Sequence, residues 1–334
     1  MRNMYKSCLL MMLLLPLSAS LKAQVDPHFS QYYMYPSWLN PALTGAFDGS
    51  YRVSGIYRTQ WGGLGVPFKT YGLSAEMTTE KNLNAGLSVM RQTAGDAAYA
   101  YTTGYANVAY TGLRFGKEGM HKVYLGLQAG FIQRKFDREK MTFGSQWNYI
   151  TGPTGSNSAE VLDRTAAIAF DAGAGAMYFD ATPGKKANFF AGVSFSHLSQ
   201  ADDKFSASGN EKFPVRYTLH GGARISLSNQ LSVTPNLLYM KQRTAEEKML
   251  GAYAQYKVND ELTVMLGGNY RLKDAFSPYI GFTNKGWMLG ASYDVNNSDL
   301  GKMAGSANSF EISLSFIGRK KTPTPQVEFV CPRL

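Results

Sequence analysis

The chain has 334 residues, 44% hydrophobic, 13% aromatic and only 17% charged, with a formal net charge of +10. Its basic residues are scattered apart from Arg319, Lys320 and Lys321, which argues against a nucleic-acid partner. Two cysteines, Cys8 and Cys331, leave no basis for a disulfide framework, and the length suits one large barrel or two modest soluble domains.

The first residues follow the order of a secretory leader. Arg2 and Lys6 are basic, residues 9–17 are apolar, and residues 18–23 are mostly small. The apolar run contains Pro16 and is shorter than the ~20 residues a spanning helix needs, so residues 1–23 are predicted to be a removed signal peptide. The mature chain then starts at Gln24. Cys8 leaves with the leader, and the loss of Arg2, Lys6 and Lys22 brings the charge to about +7.

Residues 24–49 have a different character. DPHFSQYYMYPSWLNPALTG, residues 26–45, holds Phe29, Tyr32, Tyr33, Tyr35 and Trp38 with three prolines, Pro27, Pro36 and Pro41, and no alternation. The prolines oppose a regular helix or central strand. So much aromatic surface needs something to pack on, unlike a Gly/Ser tether.

Strict alternation dominates from there. Between residues 215 and 227, Val215, Tyr217, Leu219, Ile225 and Leu227 oppose Arg216, Thr218, His220, Arg224 and Ser226. Val123, Leu125, Leu127, Ala129 and Phe131 alternate with Tyr124, Gly126, Gln128 and Gly130, and Phe310, Ile312, Leu314 and Phe316 with Glu311, Ser313 and Ser315. A helix would mix these sets on one stripe. The same pattern predicts strands at 50–61, 69–79, 82–92, 100–115, 121–135, 164–179, 186–198, 213–227, 230–240, 247–257, 261–272, 276–283, 287–294 and 308–317.

Their connections alternate as well. Tight turns fall at 80–81, 116–120, 180–185, 228–229, 258–260 and 284–286, while the opposite set includes the long segments 136–163, 199–212 and 295–307. Short periplasmic turns and long surface loops characterise an outer-membrane barrel. The expected fold is therefore all-β, an outer-membrane antiparallel β-barrel of about fourteen strands over residues 50–317, with irregular N-terminal and C-terminal extensions. An even strand count puts both termini on the periplasmic side, and residues 318–334, with TPTPQ and VEFVCPRL, form a periplasmic tail. A lipocalin-like barrel or sandwich also alternates but has no reason for two-sided loop lengths. A propeller needs a repeat that is absent.

Chemistry is sparse. His28, His121, His197 and His220 lack metal-ligand spacing, and His220 shares its strand's polar face with Arg216 and Arg224, as a structural lumen residue would. Asp202, Asp203 and Asp299 read as solvated loop charge, with loose calcium binding as the alternative. GGLG at residues 62–65 precedes a proline and no helix, so it reads as a loop. No catalytic residue, metal or cofactor is assigned.

Several segments together resemble the PorP/SprF proteins of the Bacteroidetes type IX secretion system. They are DPHFSQYY and NPALTG, YRTQW at 57–61, PFKT at 67–70, PVRY with HGG at 214–222, SYDVNNSDL at 292–300, EISLSF at 311–316 and the terminal CPRL. Leu334 departs from the terminal aromatic of such proteins. The resemblance implies a non-enzymatic outer-membrane component of secretion or gliding machinery. Its implied partners are membrane lipid, the periplasmic secretion ring, and a secreted cargo or adhesin with a C-terminal recognition domain. On this reading the N-terminal segment is a partner-binding interface in the periplasmic mouth, carried by Asp26, Pro27, His28, Phe29, Ser30, Gln31, Tyr32, Tyr33, Asn40 and Pro41, with a structural plug as the alternative. The rival functions are a passive porin or uptake channel, and an outer-membrane lipase.

Overall fold

The computed structural model describes residues 26–62, 67–79, 81–95, 98–141, 143–155, 164–204, 212–298 and 308–319. The predicted leader, Asp299, and the tail beyond Arg319 with Cys331 lie outside the described residues.

Among the described residues, sixteen strands follow in chain order. The first five are β1 (Tyr51–Gln60), β2 (Phe68–Met77), β3 (Leu83–Ala94), β4 (Tyr99–Phe115) and β5 (His121–Phe136). A two-residue hairpin, β6 (Trp147–Asn148) with β7 (Gly152–Pro153), sits in the loop that follows. Next come β8 (Ala166–Asp180), β9 (Ala187–Ser196), β10 (Arg216–Ser226), β11 (Leu231–Gln242) and β12 (Ala245–Lys257). The last are β13 (Leu262–Arg271), β14 (Ala275–Asn284), β15 (Trp287–Asn296) and β16 (Ser309–Gly318).

All but the small hairpin form one closed antiparallel barrel of fourteen strands, each paired with its sequence neighbours. β1 closes on β16 from Tyr51↔Gly318 to Gln60↔Ser309. Strands of ten to seventeen residues meet the ~9–11 tilted residues needed to cross the hydrocarbon core. Every predicted strand is present within three residues at each end. The largest offset is at β10, expected from residue 213 but starting at Arg216, because Pro214 has no N–H for the ladder.

Alternation sorts the side chains as expected. Leu125, Leu219 and Leu250 point outward, while Gln128, Thr218 and His220 are buried inside. Gly45–Ser50, the short turns and Gly318 mark one end of the barrel, the turn end. The long connections after β5, β9 and β15 mark the other, the loop end, which is the outer face in such barrels.

The N-terminal segment is not confined to a mouth. It runs through the lumen for the barrel's whole height, with short helical turns at Tyr32–Met34, Pro36–Leu39 and Pro41–Leu43, two of them started by a proline at the first helical position. At the turn end the chain reaches β1, where the Ser50 N–H donates to Gly318. At the loop end the Asp26 N–H donates to Gln242, the last residue of β11. The expectation that the amino end lies on the turn side is therefore corrected. β1 does start there, but the chain before it doubles back through the lumen, where its aromatic rings find a wall to pack on.

Candidate functional site

The segment's rings build the lumen's apolar core. Phe29, Tyr33, Tyr35, Leu39 and Leu43 are essentially inaccessible, and they pack with wall residues such as Met177, Met240, Met265, Tyr253 and Tyr279. Phe29 meets Tyr35 and Trp38 edge-on at 5.8 and 5.5 Å, and Tyr33 meets Tyr279 edge-on at 5.5 Å. Such pairs add roughly 0.5–1.5 kcal/mol each beyond area burial.

The wall is shaped to receive the backbone. A Cβ on Gly126 would stand 2.1 Å from the Ala42 nitrogen, and one on Gly175 would stand 2.0 Å from Asn40 Oδ1. Only glycine fits at these two lumen-facing positions. At the turn end, Gly45 takes φ +73° and donates its N–H to Glu76 at 2.9 Å. Glu76 is itself held by Arg52 at 3.0 Å.

Polar anchors concentrate toward the loop end. Glu311 accepts the backbone N–H groups of Ser30 and Gln31 at 2.6 and 2.9 Å, and is ion-paired to Arg58. Ser30 Oγ donates to Asp294 at 2.8 Å, and Arg58 and Arg271 both reach Asp294 at 2.9 Å. Asn269 Nδ2 donates to the Ser30 carbonyl at 2.8 Å, and Tyr32 OH to Asn236 at 2.7 Å. Arg58 and Glu311 are fully buried, so each charge depends on its partner being present.

A second cluster holds the first described residue. The Asp26 carboxylate lies 2.6 Å from His197 Nε2 and 3.0 Å from Arg216 Nη1, while His197 Nδ1 lies 2.8 Å from Asp171. Arg216 also covers the Trp38 ring at 4.7 Å. Burial alone would raise the Asp26 carboxyl, but His197 and Arg216 hold it well below the usual carboxylate range. Burial opposes a charged His197 ring, yet the carboxylates of Asp26 and Asp171 push it up to about 9.

Of the ten residues singled out from the sequence, Phe29, Ser30, Gln31, Tyr32, Tyr33, Asn40, Pro41 and Pro27 are buried against the wall, and Asp26 and His28 are partly exposed at the loop end. Asn40 ties the middle of the segment down, with Nδ2 bonded to the Ala176 carbonyl at 3.1 Å and within 3.1 Å of His220 Nε2. Sequence reasoning placed no role on Arg58, Asp294, Glu311, Arg271 or Asp171. A signal for most of them was present, since Arg58, Arg216, His220, Asp294 and Glu311 all lie in the segments that carry the family resemblance. Arg271 and Asp171 had no such signal. Of the loop aspartates, Asp203 pairs with Arg134 at 2.6 Å. Among the described residues no cluster of three or more His, Cys, Asp or Glu is disposed to hold a metal ion.

These far-apart segments meet at one interface, between plug and wall. Residues 21–316 match the family described as type IX secretion system membrane protein PorP/SprF. The chain belongs to that family. It is an outer-membrane β-barrel component of type IX secretion, and both family and fold point to a membrane protein, not an enzyme.

The comparison with curated proteins found no match. Among solved structures, the Ralstonia pickettii toluene transporter TbuX is similar, with 10% identity, TM-score 0.52, and coverage of 87% of this chain and 94% of that one. The Pseudomonas putida toluene transporter TodX is 10% identical with TM-score 0.49, covering 87% and 97%. At this identity, the likeness to TbuX speaks for the barrel fold alone.

Proposed function

We propose that this PorP/SprF barrel serves secretion as a closed outer-membrane anchor, not as a conduit. It binds secretion machinery at its periplasmic end and cargo at its outer end. The observation that supports this is the plug of residues 26–50, packed through the lumen and fixed by buried charges at both ends. Cargo passing through the barrel would have to displace this plug, breaking the bonds that Glu311 accepts from the Ser30 and Gln31 N–H groups and the one that Glu76 accepts from the Gly45 N–H.

In this reading residues 1–23 direct export and residues 318–334 stay in the periplasm. Asp26, Pro27, His28, Phe29, Ser30, Gln31, Tyr32, Tyr33, Asn40 and Pro41 serve partner binding indirectly, by fixing the rim that the partner meets. The cargo carries a C-terminal recognition domain, and gliding motility is involved where that cargo is an adhesin.

The test is deletion in the native host, with surface and secreted proteins quantified, alongside bilayer recordings of the purified barrel. Loss of a defined set of cargo, restored by the wild-type gene, is expected together with an electrically silent barrel. Normal cargo display with steady ion conductance would overturn the proposal in favour of a porin.

A further inference from the structure

At the outer rim the plug borders a pocket of about 320 Å³, lined by Asp26, Pro27 and His28 and by residues of several wall strands. That volume suits a small ligand. Two of its lining side chains are more than nine-tenths buried and have bonding capacity unspent. Glu247, 7% exposed, has Oε2 3.4 Å from His28 Nδ1, while its Oε1 has no hydrogen-bond partner. Gln60, 8% exposed, has a side-chain amide with no hydrogen-bond partner among the described residues. Buried polar groups are ordinarily satisfied.

Most of the lining charges are already paired. Asp26 is paired with Arg216 and His197, Arg271 with Asp294 and Asp274, and Glu246 with Lys241 and Lys248. Lys273 lines the same pocket, exposed and with no ion partner among the described residues. The lining groups left without a guanidinium, ammonium or carboxylate partner are therefore Glu247 and Lys273, which are opposite in sign. They offer one acceptor and one donor, and an ion drawn to either is repelled by the other. Trp61 adds an apolar face. It follows the last residue of β1 with φ +60°, where a bulky residue is an outlier, and its ring packs edge-on against Phe68 at 5.1 Å.

A ligand for these groups donates to a carboxylate, accepts from an ammonium, does both with an amide, and lays an apolar face on an indole. A sugar ring has all of these properties without net charge, since each hydroxyl both donates and accepts and the ring C–H groups form the apolar face. A peptide strings its N–H and C=O groups along a chain and has no such face. We propose that the pocket binds a neutral sugar ring at the outer rim, stacked on Trp61 and hydrogen-bonded by Gln60, Glu247 and Lys273. The site is separate from the secretion role.

The test is saturation-transfer NMR on the full barrel in a detergent without a sugar headgroup. The probes are the methyl glycosides of glucose, galactose, mannose and N-acetylglucosamine, each at about 20 mM to allow for millimolar affinity, and N-acetyl-trialanine amide. Transfer to the ring C–H protons of at least one glycoside is expected, and it should be lost in folded Trp61→Ala and Glu247→Gln variants. No transfer to any glycoside in the wild type overturns the proposal, as does transfer to the peptide alone or transfer unchanged in both folded variants. Carbene labelling of the wild type needs no variant. The bound glycoside should reduce labelling of Trp61 at least about threefold and leave the exposed Trp147 unchanged, and equal labelling of Trp61 with and without it overturns the proposal. Polysaccharide from the host's outer membrane and glycans released from its surface proteins are then compared as competitors. Displacement by one of them identifies the source of the sugar, and displacement by neither counts against the site.

Discussion

Replacing Arg58 by methionine keeps most of the side-chain volume and removes one charge at the place where β1 and β16 grip the plug. The wild-type guanidinium is 0% exposed and serves Glu311, Asp294 and Ser30 Oγ at once. In the variant, Asp294 keeps Arg271 at 2.9 Å, and Glu311 keeps two backbone N–H donors but has no cation. Breaking a buried pair by deleting one partner costs about 3–5 kcal/mol. The surviving contacts put this case at the low end, about 3 kcal/mol, or about a hundredfold in the plug's local opening equilibrium. Hydrogen exchange of the Ser30 and Gln31 amides, which donate directly to Glu311, reports that opening. Their protection should fall about a hundredfold, while the amides of the β1–β16 ladder stay protected. Adding Glu311→Gln to Arg58→Met should recover part of the loss, because no bare carboxylate is then left buried. Protection within about threefold of wild type in the single variant would refute the idea that this ion pair holds the plug.

Arginine at Leu125 or Leu219, both lipid-facing, should cost about 2–4 kcal/mol in a refolding titration. Thr218→Arg is not the mild control that alternation alone suggests, since Thr218 is 2% exposed against a filled lumen, and it should also destabilise by overpacking. Gly126→Ala should push the plug off the wall and admit ion conductance in bilayers, whereas Gly144→Ala, with nothing within 4 Å of its added carbon, should stay silent. The His197 contact should also make the plug's outer end pH-dependent. Its value of about 9 lies above the ordinary 6.5, so its stabilisation is full below about 6.5 and is lost as pH rises through about 9. Exchange at Phe29 and Ser30 should then speed up between pH 7 and 10 beyond the intrinsic rate, and His197→Gln should abolish that excess.

The amino-acid order alone determined the strands, their faces and the two ends of the barrel. Each of these is written locally: Leu219 against Thr218 in one strand, or a two-residue turn at 285–286 against a long loop at 197–215. A side chain's lipid or lumen side follows from its parity, and parity needs no knowledge of what lies across the barrel. The aromatic run at 26–45 announced that it must pack, and its prolines announced that it would not be a strand. The place where it packs was decided only by closing the barrel. Glu311 lies 281 residues from Ser30 and Asp294 lies 236 from Arg58, yet they form one network. No periodicity carries that pairing, because it depends on which lumen-facing residues share a height once fourteen strands have closed. The same closure explains why Gly126 and Gly175 are the seats for Ala42 and Asn40. It also turns the chain before β1 back toward the outer face, since the lumen offered the one large wall on which that much aromatic surface could leave water.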